Sequence, residues 1–181
     1  MVYLYLAQGF EEIEALATVD FLRRCDIEVV TVGVGSQDVT GAHDITVLAD
    51  TVDLMAEMTD EVEAVILPGG MPGTLNLQKS DCVSGMLDFA FEKGIVIGAI
   101  CAAPSVLGKK GFLDGKRATC FPGFEEELGK AVCTDDFVVT DGNIITAKGA
   151  GCTIDFAYAI AERLSAGEKA EQVKKSIQCR V

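Results

Sequence analysis

Cys101 follows the apolar run Ile95-Val96-Ile97-Gly98-Ala99-Ile100 and precedes Ala102-Ala103-Pro104-Ser105. That order predicts a strand turning sharply into a helix, with the thiol at the turn. A sulfur there faces the first unpaired N–H groups of the helix, whose partial positive charge favours the thiolate, the nucleophilic form. A buried structural cysteine is the plainer alternative, since free cysteine is among the most buried residue types.

Two further segments offer chemistry. Gly69-Gly70, after the apolar run Ala64 to Leu67, brings bare backbone N–H groups close to a ligand; with the N–H of Ala102 they form a candidate oxyanion or oxidised-sulfur site. A tight turn explains the same glycines. Glu14, at ~100° per residue, projects within about 20° of Phe21 and about 60° of Ala17, on the margin of an apolar helix face. Partial desolvation there raises a carboxyl pKa, so that a protonated Glu14 can donate to the Cys101 sulfur or shuttle protons to a carbonyl substrate. A solvated glutamate at the helix margin is the alternative.

His43 is the only histidine and has no visible relation to Cys101, which leaves a Cys-His dyad a minor possibility. The seven cysteines form no CxxC pair and no zinc-type cluster, so neither metal nor a disulfide framework is expected. The Gly69-Gly70 loop lacks the lysine and spacing of a phosphate loop. No cofactor is implied.

The elements that must position these groups alternate along the chain. Strands are expected at Val2 to Ala7, Glu28 to Gly33, Asp44 to Leu48, Ala64 to Leu67 and Ile95 to Ile100. Helices are expected at Glu11 to Arg24, with Ile13, Leu16, Ala17 and Phe21 as its apolar face, and at Asp81 to Lys93, Ala102 to Gly108, Thr153 to Leu164 and Glu168 to Ser176. Asp141-Gly142 between Phe137 to Thr140 and Asn143 to Ala147 signals a hairpin. This is an α/β pattern: a mainly parallel sheet covered by helices, with an added hairpin. Gly9 to Glu14, Pro68 to Gly73 and Cys101 all fall at carboxyl ends of strands, where open α/β sheets bind ligands.

The 181 residues suit one domain, and no apolar run approaches a membrane span. Without a basic leader before Glu11 and Glu12, a cytoplasmic location is the expectation. The formal charge of −13 argues against nucleic acid or anionic lipid as partners. The few basic residues near the end, Lys169, Lys174, Lys175 and Arg180, make no aromatic-interleaved platform. Glu125-Glu126-Glu127 reads as a solvated helix face.

Taken together, Gly9-Phe10-Glu11-Glu12-Ile13-Glu14, Leu67-Pro68-Gly69-Gly70, Ala99-Ile100-Cys101-Ala102-Ala103-Pro104 and Lys148-Gly149-Ala150-Gly151-Cys152-Thr153 resemble the ThiJ/PfpI superfamily, specifically its DJ-one branch, in family order over nearly the whole chain. The resemblance implies a flavodoxin-like three-layer sandwich, usually a homodimer. It implies a low-pKa, oxidation-sensitive Cys101 hydrogen-bonded to a protonated Glu14, with backbone groups of Gly70 and Ala102 lining an oxyanion pocket. Members of the branch are described as glutathione-independent glyoxalases, as deglycases of early glycation adducts and as redox-responsive chaperones.

Three departures qualify what the resemblance implies. Phe121 stands where many relatives carry a histidine before the proline, as in some bacterial members, which removes a third catalytic candidate. His43 replaces a family arginine near the pocket while Arg24 is retained, so both, with Phe121, are candidates for the pocket mouth, Arg24 and His43 brought there by a homodimer. Ala102 replaces the histidine of the protease-like branch, which argues against peptidase activity. The expected function is a cysteine-dependent enzyme acting on small dicarbonyls or early glycation adducts. The alternatives are a redox-sensing or chaperone protein and a module without chemistry.

Overall fold

The computed structural model describes residues 1–179, so Arg180 lies outside the described residues. The chain runs β1 (Val2–Leu6), α1 (Glu12–Arg24), β2 (Val29–Gly33), β3 (Asp38–Thr40), β4 (Thr46–Leu48), β5 (Thr51–Val52) and β6 (Ala64–Leu67). It continues through α2 (Gly73–Lys79), α3 (Asp81–Lys93), β7 (Val96–Ile100), α4 (Pro104–Lys109), β8 (Arg117–Ala118) and β9 (Val132–Cys133). β10 (Val138–Asp141), β11 (Ile144–Ala147), α5 (Thr153–Arg163) and α6 (Gly167–Ser176) complete it. Seven strands form one sheet in the order β10-β11-β7-β6-β1-β2-β5, parallel except for β10.

Strict alternation along β1 explains why its apolar run is unbroken. Val2, Leu4 and Leu6 enter the core under α1, α5 and α6, while Tyr3 and Tyr5 enter the core under α3 and α4. A strand covered on both faces needs apolar residues at every position. Each such side chain contributes roughly 1.5–3 kcal/mol on full burial. The result is the flavodoxin-like α/β sandwich.

Helix α1 corrects one expectation. Its buried face carries Ala15, Thr18, Val19, Phe21 and Leu22 together with Glu12 and Glu14, whereas Ile13 is 57% exposed and Leu16 and Ala17 are only half-buried. The small stripe of Ala15 and Thr18 lets α1 lie close against α5. That packing outweighs the apolar periodicity of Ile13, Leu16 and Ala17.

Elsewhere the departures are local. α2 forms in a stretch for which no element was expected, α4 starts at Pro104 rather than Ala102, and the strand expected from Asp44 is the shorter β4, paired antiparallel with β3. Glu125–Leu128 is a single 3-10 turn with its glutamates exposed. The Asp141-Gly142 hairpin pairs Val138 with Ala147 and Asp141 with Ile144, with Gly142 at φ +65°. Among the described residues, no helix is long and apolar enough to cross a membrane.

From adjacent β1 and β6 the chain departs in opposite directions, to β2 on one side and to β7 on the other. Their carboxyl ends therefore open a crevice at a topological switch point. The loops that follow them meet there, the Glu11 N–H donating to the Gly69 carbonyl at 3.0 Å. Cys101 stands at the end of neighbouring β7.

Candidate active site

Cys101 is held in the left-handed region at φ +65°. A non-glycine residue there is strained by of order 1–2 kcal/mol and persists when its surroundings over-determine it. Here the backbone is pinned on both sides. The Cys101 N–H donates to the Ala147 carbonyl at 2.8 Å, and its own carbonyl accepts the Phe121 N–H at 2.8 Å. The half-buried sulfur thus sits on a sharp strand-to-helix elbow, with the N–H groups of Ala102 and Gly70 directed at it.

Glu14 reaches the sulfur from the first turn of α1. Glu11 caps that helix, its Oε2 accepting the Glu14 N–H at 2.7 Å. The Glu14 side chain is only 1% exposed, so it is a core carboxyl rather than a helix-margin one. Its Oε2 accepts the Gly69 N–H at 2.8 Å, and the carboxyl lies close enough to the Cys101 thiol for each group to shift the pKa of the other. Among the described residues its buried Oε1 has no hydrogen-bond partner. An acceptor-only carboxylate leaves that oxygen uncompensated, whereas a carboxylic acid turns it into a donor.

Gly69 is required by this closeness. A Cβ there would stand 2.7 Å from Cys101 Cβ and 2.8 Å from Glu14 Oε2. The N–H of Gly69 is also committed to Glu14, which corrects its expected place among the oxyanion donors: it orients the carboxyl. Gly70, at φ +92°, directs its own N–H at the sulfur instead.

Electrostatics couples the two acidic groups. Burial is the main reason the Glu14 carboxyl rises from 4.5 to about 7, while the Gly69 N–H and the Cys101 thiol oppose the rise. Burial likewise pushes the Cys101 thiol up to about 12, with the Glu14 charge and hydrogen bond as the next causes. A low thiol pKa is therefore not a property of the elbow by itself. The N–H groups of Ala102 and Gly70 pull downward, but burial beside an ionised carboxylate outweighs them. Protonation of Glu14 removes its charge and converts it to a donor to sulfur, so a thiolate is favourable only while the proton stays on Glu14.

The other expected site residues are dispersed. Arg24 lies at the far end of α1, ten residues or roughly 15 Å along the axis from Glu14, where its Nε donates to Asp20 at 2.7 Å. Within one chain it cannot reach the pocket mouth. His43 is bound to Glu12 instead: its backbone N–H donates to Oε1 at 2.7 Å, and Nδ1 lies 2.8 Å from Oε2. No Cys-His dyad forms, because that ring is turned to Glu12. Glu11, Glu12 and His43 have donor atoms within 4.8 Å of one another, the spacing of a metal site among the described residues. Both Glu12 oxygens are already used by His43, and Glu11 Oε2 caps α1.

Phe121, by contrast, borders the sulfur. A Cβ at Gly149 would lie 3.3 Å from the Phe121 ring and 4.0 Å from Cys101 Sγ. Gly149 and the 69% exposed Phe137 were given no site role by sequence reasoning. For Gly149 a signal existed: Lys148-Gly149-Ala150-Gly151 follows β11 at the same edge as the other loops. Phe137 carried none.

Comparison with known proteins places the chain in a family. Residues 1–163 match the DJ-1/PfpI family. The chain is 38% identical to Protein dj-1beta of Drosophila melanogaster over 175 residues, covering 95% of this chain and 93% of that protein. It is 32% identical to the glutathione-independent glyoxalase DJR-1.2 of Caenorhabditis elegans over 169 residues, 92% of this chain and 89% of that one. The crystal structure of a DJ-1 superfamily protein from Salmonella typhimurium superposes with a TM-score of 0.93 at 34% identity, covering 99% and 98% of the two chains.

Proposed function

The chain belongs to the DJ-1/PfpI family, and from that premise we propose that it is a glutathione-independent glyoxalase or deglycase in which Cys101 is the nucleophile and Glu14 the proton carrier. The observation that carries the reading is the core carboxyl of Glu14, 1% exposed, held by the Gly69 N–H at 2.8 Å beside Cys101 and raised by burial to about 7. A relative at 32% identity bears the glyoxalase name. Such a carboxyl changes protonation state near neutral pH, which is what a general acid–base group needs.

The chemistry runs in four balanced steps. The Cys101 thiolate adds to the aldehyde carbon of a 2-oxoaldehyde, and the oxygen takes the proton held by Glu14, giving a hemithioacetal. The Glu14 carboxylate then removes the hydrogen from that carbon, and the electron pair passes to the neighbouring ketone as an enediolate, which the N–H groups of Gly70 and Ala102 are placed to stabilise. Return of the proton to the former ketone carbon leaves the 2-hydroxy acyl thioester. Water cleaves this to the hydroxy acid and restores the thiol. An early glycation adduct enters the same sequence once its amine leaves.

Purified protein is expected to convert methylglyoxal to lactate without glutathione, and Cys101→Ser to lose that activity. Equal rates from both proteins would reject the reading.

A second reading rests on the N–H groups of Gly70 and Ala102 directed at sulfur: peroxide oxidises Cys101 by two oxygen transfers, releasing two waters, to a sulfinate held by these donors and by protonated Glu14. Mass mapping after mild peroxide is expected to find two added oxygens chiefly at Cys101. Uniform oxidation of all cysteines would exclude it. The partner proposed is a second copy of the chain over the outer face of α1, where Ile13 is exposed beside the β3–β4 turn carrying the 52% exposed Ile45. Light scattering of wild type and Ile13→Glu is expected to give a dimer and a monomer; a monomeric wild type rejects it.

A further inference from the structure

Beside Gly149, whose Cβ position is 4.0 Å from Cys101 Sγ, lies an open recess of about 390 Å³ lined by Phe121, Pro122, Phe137, Lys148, Gly149 and Cys152, among others. From it we infer that the substituent on the ketone carbon of the substrate is an aryl or bulky apolar group, seated between Phe121 and Phe137. The inference rests on the proposed dicarbonyl chemistry and names the class of 2-oxoaldehyde that it acts on.

Position decides which part of a substrate enters. Once the aldehyde carbon is bonded to sulfur, its ketone substituent lies two carbons away. Towards Gly69 there is no room, since even a Cβ there would be 2.7 Å from Cys101 Cβ. Towards Gly149 the sulfur is met without collision: the point where a Cβ would stand is 4.0 Å from Sγ, an ordinary contact, and 3.3 Å from the Phe121 ring, which must give by a few tenths of an ångström. Gly149 is thus the shared wall between the sulfur and the recess.

The lining decides the chemistry of the occupant. Phe121 is 48% exposed and Phe137 69%, so both rings present apolar surface to whatever enters. Lys148 does not make the recess a cation site. Its amine is salt-bridged to the Asp135 carboxylate, donates to the Asp135 carbonyl at 3.2 Å, and stands 5.6 Å from the centre of the Phe137 ring. Its charge is already matched, and its place over the ring holds Phe137 in position. An anionic substituent finds no unpaired cation among these lining residues, whereas a phenyl ring finds stacking partners. A recess of this size holds a six-membered ring with space left over.

Two measurements on wild type and Phe137→Ala test the inference, and the exposure of Phe137 makes misfolding of the variant an easily checked matter by circular dichroism. First, wild type is expected to favour phenylglyoxal over methylglyoxal about tenfold in kcat/KM, the gain from partial burial of a ring, with that ratio falling towards one in Phe137→Ala. Second, N-benzyl iodoacetamide is expected to alkylate Cys101 faster than iodoacetamide, each rate normalised to free glutathione thiol, with the preference lost in the variant. Identical ratios in the two proteins, by either measure, overturn the aryl site. Failure to turn over any dicarbonyl, with the aryl preference in alkylation intact, refutes the enzymatic reading and leaves the aryl site standing.

Discussion

Gly69 and Glu14 are joined across 55 positions of sequence by one hydrogen bond, from the Gly69 N–H to Glu14 Oε2 at 2.8 Å. It locks the carboxyl of α1 against the loop after β6, where the Gly69 Cβ position touches both Glu14 Oε2 and the Cβ of Cys101 at the end of β7. Three strand ends are thereby fixed relative to one another by a single side chain.

Gly69→Ala is expected to break this arrangement from inside. The added Cβ would compress both Cys101 Cβ and Glu14 Oε2. Overpacking of this kind destabilises by roughly 1–3 kcal/mol. Chemical denaturation should find that loss, and the alkylation rate of Cys101 should fall more than tenfold; unchanged stability and rate would show that the loop has slack.

Glu14→Gln separates the charge of the carboxyl from its shape. In wild type the first proton lost from the pair leaves near 7, after which one proton is shared between carboxyl and sulfur. Cys101 alkylation is therefore expected to rise with pH through about 7 and then level. The glutamine variant has no step there, and its rate rises once, at a thiol pKa below the 12 that Glu14 charge helps to produce. The same substitution changes stability with a definite sign. A carboxyl whose folded pKa is raised favours the fold below its ordinary 4.5 and loses that advantage as pH rises to about 7. Glu14→Gln should thus match wild type in acid and be more stable by on the order of 3 kcal/mol above neutrality. Matching alkylation profiles, or a variant less stable at alkaline pH, would remove the buried proton from the account.

His43 and Glu12 form a pH-dependent tie between the β3–β4 turn and the start of α1. Glu12, Glu11 and Asp44 all raise the His43 pKa, the hydrogen bond to Glu12 most. Burial works against the Glu12 charge, but the His43 ring and N–H outweigh it and hold that carboxyl below its ordinary value. The histidine contribution is complete below 6.5 and disappears as pH rises through the folded value; the Glu12 contribution is complete above 4.5 and disappears as pH falls. The loss of Tm in His43→Ala should therefore be greatest near about pH 5.5 and shrink towards about pH 8. A deficit independent of pH would mean the ring acts by packing alone.

Much of this is legible in the sequence alone. The elbow at Cys101 follows from an apolar run meeting small residues and a proline, and the layered sheet follows from strand and helix alternation. Glu14 was legible in angle but not in depth: helical periodicity gives direction around α1, whereas burial to 1% depends on which neighbours arrive from β6 and β7. Ile13 failed for the same reason, its apolar character marking an outward face. Helix α2 was hidden because Gly73 opens it directly after Pro72. Gly69 was recognised as a close-approach glycine, but its N–H has two possible acceptors in the same crevice, and the sequence does not choose between them. The Phe121–Phe137 recess joins residues from separate loops, and exposed aromatics carry no periodic signal.

The strain at Cys101 offers the last test, because it can be measured without any substrate. Its φ of +65° suits glycine and disfavours every residue with a Cβ. Cys101→Ala and Cys101→Gly both remove the sulfur and both leave Glu14 without its partner, so those losses cancel between them. What remains is the left-handed penalty of roughly 1–2 kcal/mol for alanine, offset by the roughly 0.5–1 kcal/mol that glycine loses through its freer unfolded chain. Cys101→Gly should therefore be the more stable by about 1 kcal/mol, seen as a Tm higher by about 2–4 °C for a chain of this length. If alanine proves equal or better, the elbow is relaxed in solution, and the pinning by Ala147 and Phe121 holds no strained nucleophile.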